Sequence, residues 1–231
     1  MDQTYTRWGV GPLLQKYRGL AICPNGSTGL VLAGTLAFSA HHADNEPIHD
    51  SYDVKVVVPD TFPTDLPAVR DTAGRIPYSF HTHDDDGSRC LGSPIRLRLK
   101  LGRCPTLLTF IERCVIPYFY SFSYLQRHGK LPYGDLAQGK EGLVADYAAI
   151  FGIQDEHRCL EFLRLAGMGR RKANRHRCPC GSGLRVGKCH NKALNRLRGI
   201  CGRLLLRDEY IRLSYSTAGF SKQGRSPKSL P

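Results

Sequence analysis

The sequence predicts an α+β fold, in which an antiparallel meander sheet is followed by helices and by a small cysteine-rich module. Three observations predict it. Strand-forming stretches joined by short links come first, helical spacing of apolar residues follows, and three cysteines and one histidine then fall within thirteen residues. A run of strands followed by a run of helices is typical of α+β proteins.

Three segments predict the strands. Gly29–Ser39 is apolar and β-prone, and Tyr52–Pro59 alternates and is rich in valine. The stretch His41–Asp50 between them is predicted to be a loop. A connection punctuated by prolines then leads to a short third strand around Ala68–Val69. The short links favour a meander. A short helix within Trp8–Tyr17 is predicted to precede the sheet.

Helices are predicted after the sheet. Thr106 is a candidate N-cap for a strong helix over Leu107–Tyr124, which Gly129 ends. Two further helices are predicted over Glu141–Phe151 and His157–Ala166. Helical periodicity returns in a basic segment that covers residues 192–213 and precedes a tail, Ser214–Pro231, with the composition of a disordered segment.

The charge of the chain is unevenly distributed. The 231 residues include 33 Lys and Arg and 20 Asp and Glu, a net charge of +13. Residues 1–169 carry 17 basic and 18 acidic residues, a net of −1, whereas residues 170–231 carry 16 basic and two acidic residues, a net of +14. This asymmetry predicts two parts with different roles, of which the second docks on an acidic surface or on RNA.

Several classes of protein are excluded by composition. No apolar stretch approaches the roughly 20 residues that span a bilayer, and the first ten residues lack the apolar core of a signal peptide. We therefore expect a soluble cytoplasmic protein. In that reducing compartment the nine cysteines are expected to stay reduced. A phosphate-binding G-K-[ST] loop is absent from the sequence, so any ATP is consumed by a partner.

A candidate metal site lies near the carboxyl end. Cys178, Cys180, Cys189 and His190 offer three thiolates and an imidazole, with glycines between the two ligand pairs. Zinc prefers four such ligands in a tetrahedron, and a structural site fills all four positions with protein. Because so short a segment has no core of its own, metal binding is expected to supply its folding free energy.

This segment resembles the SEC-C motif, a zinc-binding module found on many bacterial proteins. The motif begins as C-x-C-G-S-G at Cys178 and ends with the pair Cys189-His190. Eight residues lie between the second cysteine, Cys180, and that pair. The resemblance implies a structural zinc ion on Cys178, Cys180, Cys189 and His190, and a docking role without catalysis.

A second candidate site lies in an irregular stretch from Ile76 to Pro105, where prolines, glycines and acids oppose a long regular element. It contains His81-Thr82-His83, the acidic run Asp84–Asp86 and Cys90. A nucleophilic cysteine needs thiolate character, which a nearby histidine or arginine supplies. The residues alone leave open an idle or buried thiol at Cys90, and a solvated loop at Asp84–Asp86.

From Tyr52 to Gly152 the chain resembles a bacterial E2-like, ubiquitin-conjugating-type (UBC) domain. The pieces come in family order: YDVKVVVP, FP and LPAV, GRIP, an H-x-H…DGSRCLG loop, TLLTFI…VIPYFYSFSYL, GKLPYGDL and EGLVADYAAIFG. The resemblance implies a UBC-like meander and a ubiquitin-like modifier held as a thioester on Cys90. That modifier comes from an E1-like adenylating enzyme and passes to an amine of a protein target.

The family has an asparagine two residues after the first histidine, where it stabilises the oxyanion. Here that place is taken by His83, which keeps a hydrogen-bond donor available. The sequence therefore predicts Cys90 and His83 as catalytic residues. It divides into an E2-like domain (1–157), a short helix and basic linker (158–176), the zinc motif (177–191), and a basic helix with a disordered tail (192–231).

Two other functions fit parts of the sequence. A non-catalytic zinc-binding adaptor would use the E2-like domain only to bind partners, while the basic region docks on an acidic partner or RNA. A JAMM-like metallohydrolase would use the two histidines and nearby acids, but it needs a downstream Ser-x-x-Asp. Ser93 is followed by Pro94, Ile95 and Arg96, so that aspartate is missing.

Overall fold

A computed structural model of the chain describes residues 3–24, 29–43, 45–83, 86–133, 139–153 and 155–215. The chain divides by packing into two compact units, Met1–Gln138 and Gly139–Pro231. This boundary falls before the helix predicted over Glu141–Phe151, so that helix belongs with the cysteine-rich segment and not with the sheet. The two units carry net charges of +1 and +12.

The first unit is built on a four-stranded antiparallel sheet in the order β1-β2-β3-β4. Its strands are β1 (Leu20–Cys23), β2 (Leu30–Ala40), β3 (Ile48–Val58) and β4 (Ala68–Asp71). The predicted α+β class and antiparallel meander are confirmed, with one strand more than the three predicted. The strand that was missed, β1, has four residues and pairs only with β2.

Alternation of side chains gives the sheet one buried face. In β3, Ile48, Tyr52, Val54, Val56 and Val58 are buried, whereas the residues between them are exposed or partly so. This period of two is the pattern of a strand with one face on a core. The expected loop at His41–Asp50 is wrong at its end, because its last three residues already pair in β3.

Helices cover the buried face of the sheet. In sequence, some of them precede the strands and others follow them. Two short helices precede the sheet, α1 (Gln3–Trp8) and α2 (Val10–Lys16), and α3 (Pro94–Leu101) follows it. The helix predicted from Leu107 is real, and the hydroxyl of Thr106 accepts a hydrogen bond from the backbone N–H of Thr109. The later part of this helix, α5 (Ile116–His128), contacts β3 and β2, where Phe119 stacks on Tyr52 with 4.4 Å between ring centres.

That long helix is not uniform. It runs as α4 (Leu107–Phe110), a π-helical segment (Ile111–Val115) and α5 (Ile116–His128), with Gly129 in the left-handed conformation at its end. The wide π turn ends two residues before Pro117, which has no backbone N–H to donate. The stretch from Ile76 to Pro105, where no long regular element was expected, contains the eight-residue helix α3.

The second unit is helical. It contains α6 (Gly139–Phe151), α7 (Glu156–Gly167), α8 (Arg170–Ala173), a 3₁₀ turn (Val186–Lys188), α9 (Asn191–Cys201) and α10 (Arg203–Tyr215). Helix α7 lies at its centre and contacts α6, α9 and α10. The predicted basic helix is two helices, since Gly202 takes a left-handed φ of +73° between them.

Two expectations for this unit change. The basic linker is structured in part, since it contains α8 and the fully buried Ala173. Ser214 and Tyr215 end α10 and do not start the tail, and the rest of the tail lies outside the described residues. No described helix is long and apolar enough to cross a membrane.

Candidate metal centre and candidate cysteine site

The structure brings the four predicted metal ligands together. The ligand atoms of Cys178, Cys180, Cys189 and His190 all lie within 4.8 Å of one another. The Sγ atoms of Cys180 and Cys189 are 3.6 Å apart. A tetrahedral zinc ion with bonds of about 2.3 Å to sulfur requires two sulfurs about 3.8 Å apart. The cluster therefore matches a four-coordinate site for a metal such as zinc.

A short ribbon holds the cluster in place. Arg177 and Arg185 pair as an antiparallel bridge, and the N–H of Cys178 donates to the carbonyl of Leu184 at 2.8 Å. The turn inside the ribbon needs Gly181 and Gly183, whose φ angles of +85° and +74° are in the left-handed region. The first two ligands are thereby folded back toward the second two.

The unit around the ribbon supports the remaining ligands. His190 immediately precedes α9, and its ring lies edge-on to Phe162 of α7 with 5.2 Å between centres. A Cβ atom on Gly187 would lie 3.2 Å from Asn174, so ribbon and linker are closely packed. The cysteine motif thus rests on the helices of its own unit, although sequence alone assigned it to a separate module.

The thiols have opposite acidities. Burial raises the pKa of Cys178 to about 12, whereas a hydrogen bond with the Ser182 hydroxyl lowers the pKa of Cys180 to about 6. A buried thiolate beside a second thiolate requires a neighbouring positive charge. A divalent cation among the sulfurs would supply that charge, so this set of side chains is compatible with a bound metal.

Cys90 lies on a small two-stranded turn beside the sheet of the first unit. Thr82 and Arg89 form its antiparallel bridge, and the N–H of Arg89 donates to the carbonyl of Val69 in β4 at 2.7 Å. The N–H of Cys90 donates to His81 at 2.7 Å, and the N–H of His83 donates to Ser88 at 2.8 Å. The register therefore sets His81 opposite Cys90, with His83 two residues further along.

The surroundings of Cys90 include Arg89, which the sequence offers as a nearby positive charge, together with Tyr118 and His81, to which the sequence gives no role in the thioester chemistry. Arg89 is buried, and its guanidinium donates to the Thr82 hydroxyl at 2.8 Å. The Tyr118 hydroxyl donates to the carbonyl of Phe80 at 2.9 Å, and burial, opposed by the charge of Arg89, raises the pKa of Tyr118 above its usual range. His81 has a φ of +41°, and burial lowers its pKa, which favours the neutral ring.

The thiol of Cys90 is partly exposed, in contrast to the buried Cys114 of the π-helical segment. Asp86 lies on the same turn and accepts a hydrogen bond from the N–H of Ser88 at 2.8 Å. Asp84 and Asp85 lie outside the described residues. Among the residues that are described, only the cluster in the second unit gathers enough ligands for a metal ion.

No family model, curated protein or solved structure matches the chain significantly. The function of the chain is therefore inferred from its residues and their geometry.

Proposed function

We propose that the first unit is an E2-like conjugating domain that carries a ubiquitin-like modifier as a thioester on Cys90. The observation that carries this proposal is the connectivity around that cysteine. Four antiparallel strands follow in sequence order, and the turn bearing Cys90 comes between β4 and α3 and is hydrogen-bonded to β4. This order of elements is the one that the resemblance to a UBC-like fold implies.

The proposed chemistry is two acyl transfers. The Cys90 thiolate attacks the carbonyl carbon of a modifier bound to an E1-like enzyme, a new C–S bond forms, and the thiolate of that enzyme leaves. An amine of the target then attacks the same carbon, so the C–N bond forms, the bond to Cys90 breaks and the amine loses a proton. Because a thioester keeps the acyl group activated, orientation of the amine is the main further requirement.

His83 is the proposed hydrogen-bond donor to the oxyanion of these steps. Its position matches the asparagine of the family, and its backbone pairs with Ser88 on the same turn as Cys90. The pairing of His81 with Cys90 makes His81 the alternative donor. Replacing each histidine by glutamine, which keeps a donor, and by alanine, which does not, separates the two.

The second unit is proposed to be a structural zinc module of the SEC-C type that docks the enzyme. Cys178, Cys180, Cys189 and His190 would fill all four positions of a tetrahedral ion and leave none for a substrate or water, which opposes catalysis at the metal. All nine cysteines are free thiols, which is compatible with a reducing compartment. The +12 charge of this unit favours an acidic partner.

That charge also favours the second candidate function, a non-catalytic adaptor. The discriminating experiment replaces Cys90 with lysine in the full chain, expressed in its native host. An E2-like protein then forms an isopeptide adduct that survives reduction, and its mass identifies the modifier. Cys104→Lys is the control, because Cys104 is an exposed thiol of the same unit. An adduct on neither variant would favour the adaptor.

A further inference from the structure

Two arginines of the cysteine ribbon face each other. Arg177 and Arg185 form its bridge pair, and both side chains are exposed. Residues directly opposite in an antiparallel pair have Cβ atoms about 5 Å apart, where like charges destabilise the pair. The ribbon therefore places two positively charged side chains opposite each other.

A second group of arginines gathers at the end of α7. Arg198 donates to the carbonyls of Leu165 at 2.7 Å and Ala166 at 3.0 Å, which fixes its guanidinium. The Nη1 atom of Arg203 lies 3.3 Å from the position that a Cβ on Gly169 would occupy, and Arg170 is the next residue in the chain. Burial and the charges of Arg203 and Arg170 lower the pKa of Arg198.

Neither group forms an ion pair with a carboxylate in the part of the chain that the structure describes. The ion pairs found in this unit use Glu156, Glu161, Asp208 and Glu209, and all of them involve other basic residues. The described residues of the unit include 16 Lys and Arg, twelve of them Arg, against seven Asp and Glu. Two clusters of unpaired like charge in one small unit call for an anionic partner.

We propose that Arg170, Arg177, Arg185, Arg198 and Arg203 bind the phosphate backbone of a nucleic acid. Guanidinium groups donate two parallel hydrogen bonds to a phosphate and are weakly hydrated, which suits them to this contact. A nucleic-acid strand presents charge at regular short intervals, so one strand serves several arginines at once. No aromatic residue interleaves with these arginines along the sequence, so contacts to the backbone and not to the bases are expected.

The test measures binding of the full chain to a fluorescent single-stranded oligouridine by anisotropy over a range of salt concentrations. The test variant carries Arg→Gln at positions 170, 177, 185 and 203, all of which are exposed. Arg198 is kept, because its guanidinium caps the end of α7. The control, Arg164→Gln with Arg207→Gln, removes arginines that already pair with Glu161 and Asp208.

The binding constant K falls with salt, and the slope of log K against log salt is about −0.7 for each phosphate contact to a single strand. The test variant removes four arginines, so the magnitude of this slope is expected to decrease by about 3. The control should lose little. Retained helical circular dichroism and metal content in the test variant establish that it is folded. Equal binding by the test variant and the control would overturn the proposal, as would preferential binding of polyglutamate over the oligouridine.

This inference is independent of the chemistry proposed for Cys90. A Cys90→Ala variant should bind the oligouridine as the wild type does. An arginine variant that still forms the adduct but no longer binds the strand would support both proposals. A single-stranded DNA of the same length should bind comparably, because the contacts are to phosphate; a strict requirement for RNA would contradict backbone recognition.

Discussion

The guanidinium of Arg89 lies 3.7 Å from the carboxylate of Asp71, and the two side chains are only 8% and 0% exposed. Asp71 is the last residue of β4, and its carboxylate also accepts the N–H groups of Ala73 and Ile76. Arg89 directly precedes Cys90. This buried pair therefore joins the end of the sheet to the turn that presents the thiol.

Arg89→Gln should destabilise the first unit by about 3–5 kcal/mol, because it leaves a buried carboxylate without its positive partner. The single tryptophan of the chain, Trp8, is buried in this unit and donates to the carbonyl of Phe62 at 3.0 Å. Its fluorescence during urea unfolding therefore reports on this unit. The midpoint for Arg89→Gln should fall well below that of the wild type.

The matched control is the neighbouring exposed pair. Arg70 lies 3.7 Å from Asp86, with 44% and 41% of the side chains exposed. Such a pair contributes about 0–1 kcal/mol, so Arg70→Gln should move the midpoint little. Equal effects of the two substitutions would show that the buried pair has no special role.

Asp50 gives the first unit a stability that depends on pH. Burial opposes its ionisation, but hydrogen bonds from Arg75, Ser123 and the N–H of Ser51 outweigh burial and lower the pKa of Asp50 to about 2. An unfolded aspartate titrates near pH 3.9. Because the folded pKa is the lower one, the stabilisation is complete above about pH 4 and is lost as the pH falls toward 2.

Asp50→Asn should therefore unfold in urea with less dependence on pH between about 4 and 2 than the wild type, as measured by Trp8 fluorescence. Arg75 donates to both oxygens of Asp50, at 2.7 and 2.8 Å, and its guanidinium lies 4.4 Å from the ring centre of Tyr52. Arg75→Gln should consequently reduce the same dependence. The account of Asp50 fails if all three proteins lose stability equally over this range.

The sheet could be predicted from sequence only where its strands are long. Alternation in β3 and the apolar run of β2 identify both, since each has eleven residues. The four residues of β1 are too few to show a period, and their pairing with β2 is set by tertiary structure. Helix α3 was missed because Pro94 was interpreted as a breaker, although behind the N-cap Ser93 it starts the helix.

Metal removal should unfold the ribbon that contains the four ligands. The full chain as purified is expected to contain about one zinc ion, and Cys178→Ala should lose it, because three ligands do not close a structural site. Cys201→Ala is the control, since Cys201 is a buried thiol of the same unit outside the cluster. The measurement is elemental analysis, with cobalt absorption as a report on the ligand set.

Retention of stoichiometric metal by Cys178→Ala would contradict the four-ligand site, as would less than about half an equivalent in the wild type. The backbone N–H groups of Cys178 and Val186 both donate hydrogen bonds across the ribbon. Their hydrogen exchange after chelation therefore reports on the ribbon itself. Both amides should lose protection when the metal is removed.

The candidate sites differ in how much of them the sequence reveals. Ligand spacing alone identified the cluster, because all four ligands lie within thirteen residues. Around Cys90 the sequence indicated the thiol, but the roles of Arg89 and Tyr118 depend on contacts with β4 and with the carbonyl of Phe80. Those partners are distant in the chain, and the pairing of His81 with Cys90 depends on the register of the turn.

The most direct test of the thioester on Cys90 is intact-mass spectrometry of the full chain, recovered from its native host without reductant. The wild type should show a fraction that carries the added mass of a small protein, and dithiothreitol should remove that mass. The adduct should be absent from Cys90→Ala and present on Cys104→Ala. An adduct that persists on Cys90→Ala, or a wild type that never carries one, would contradict the proposed function.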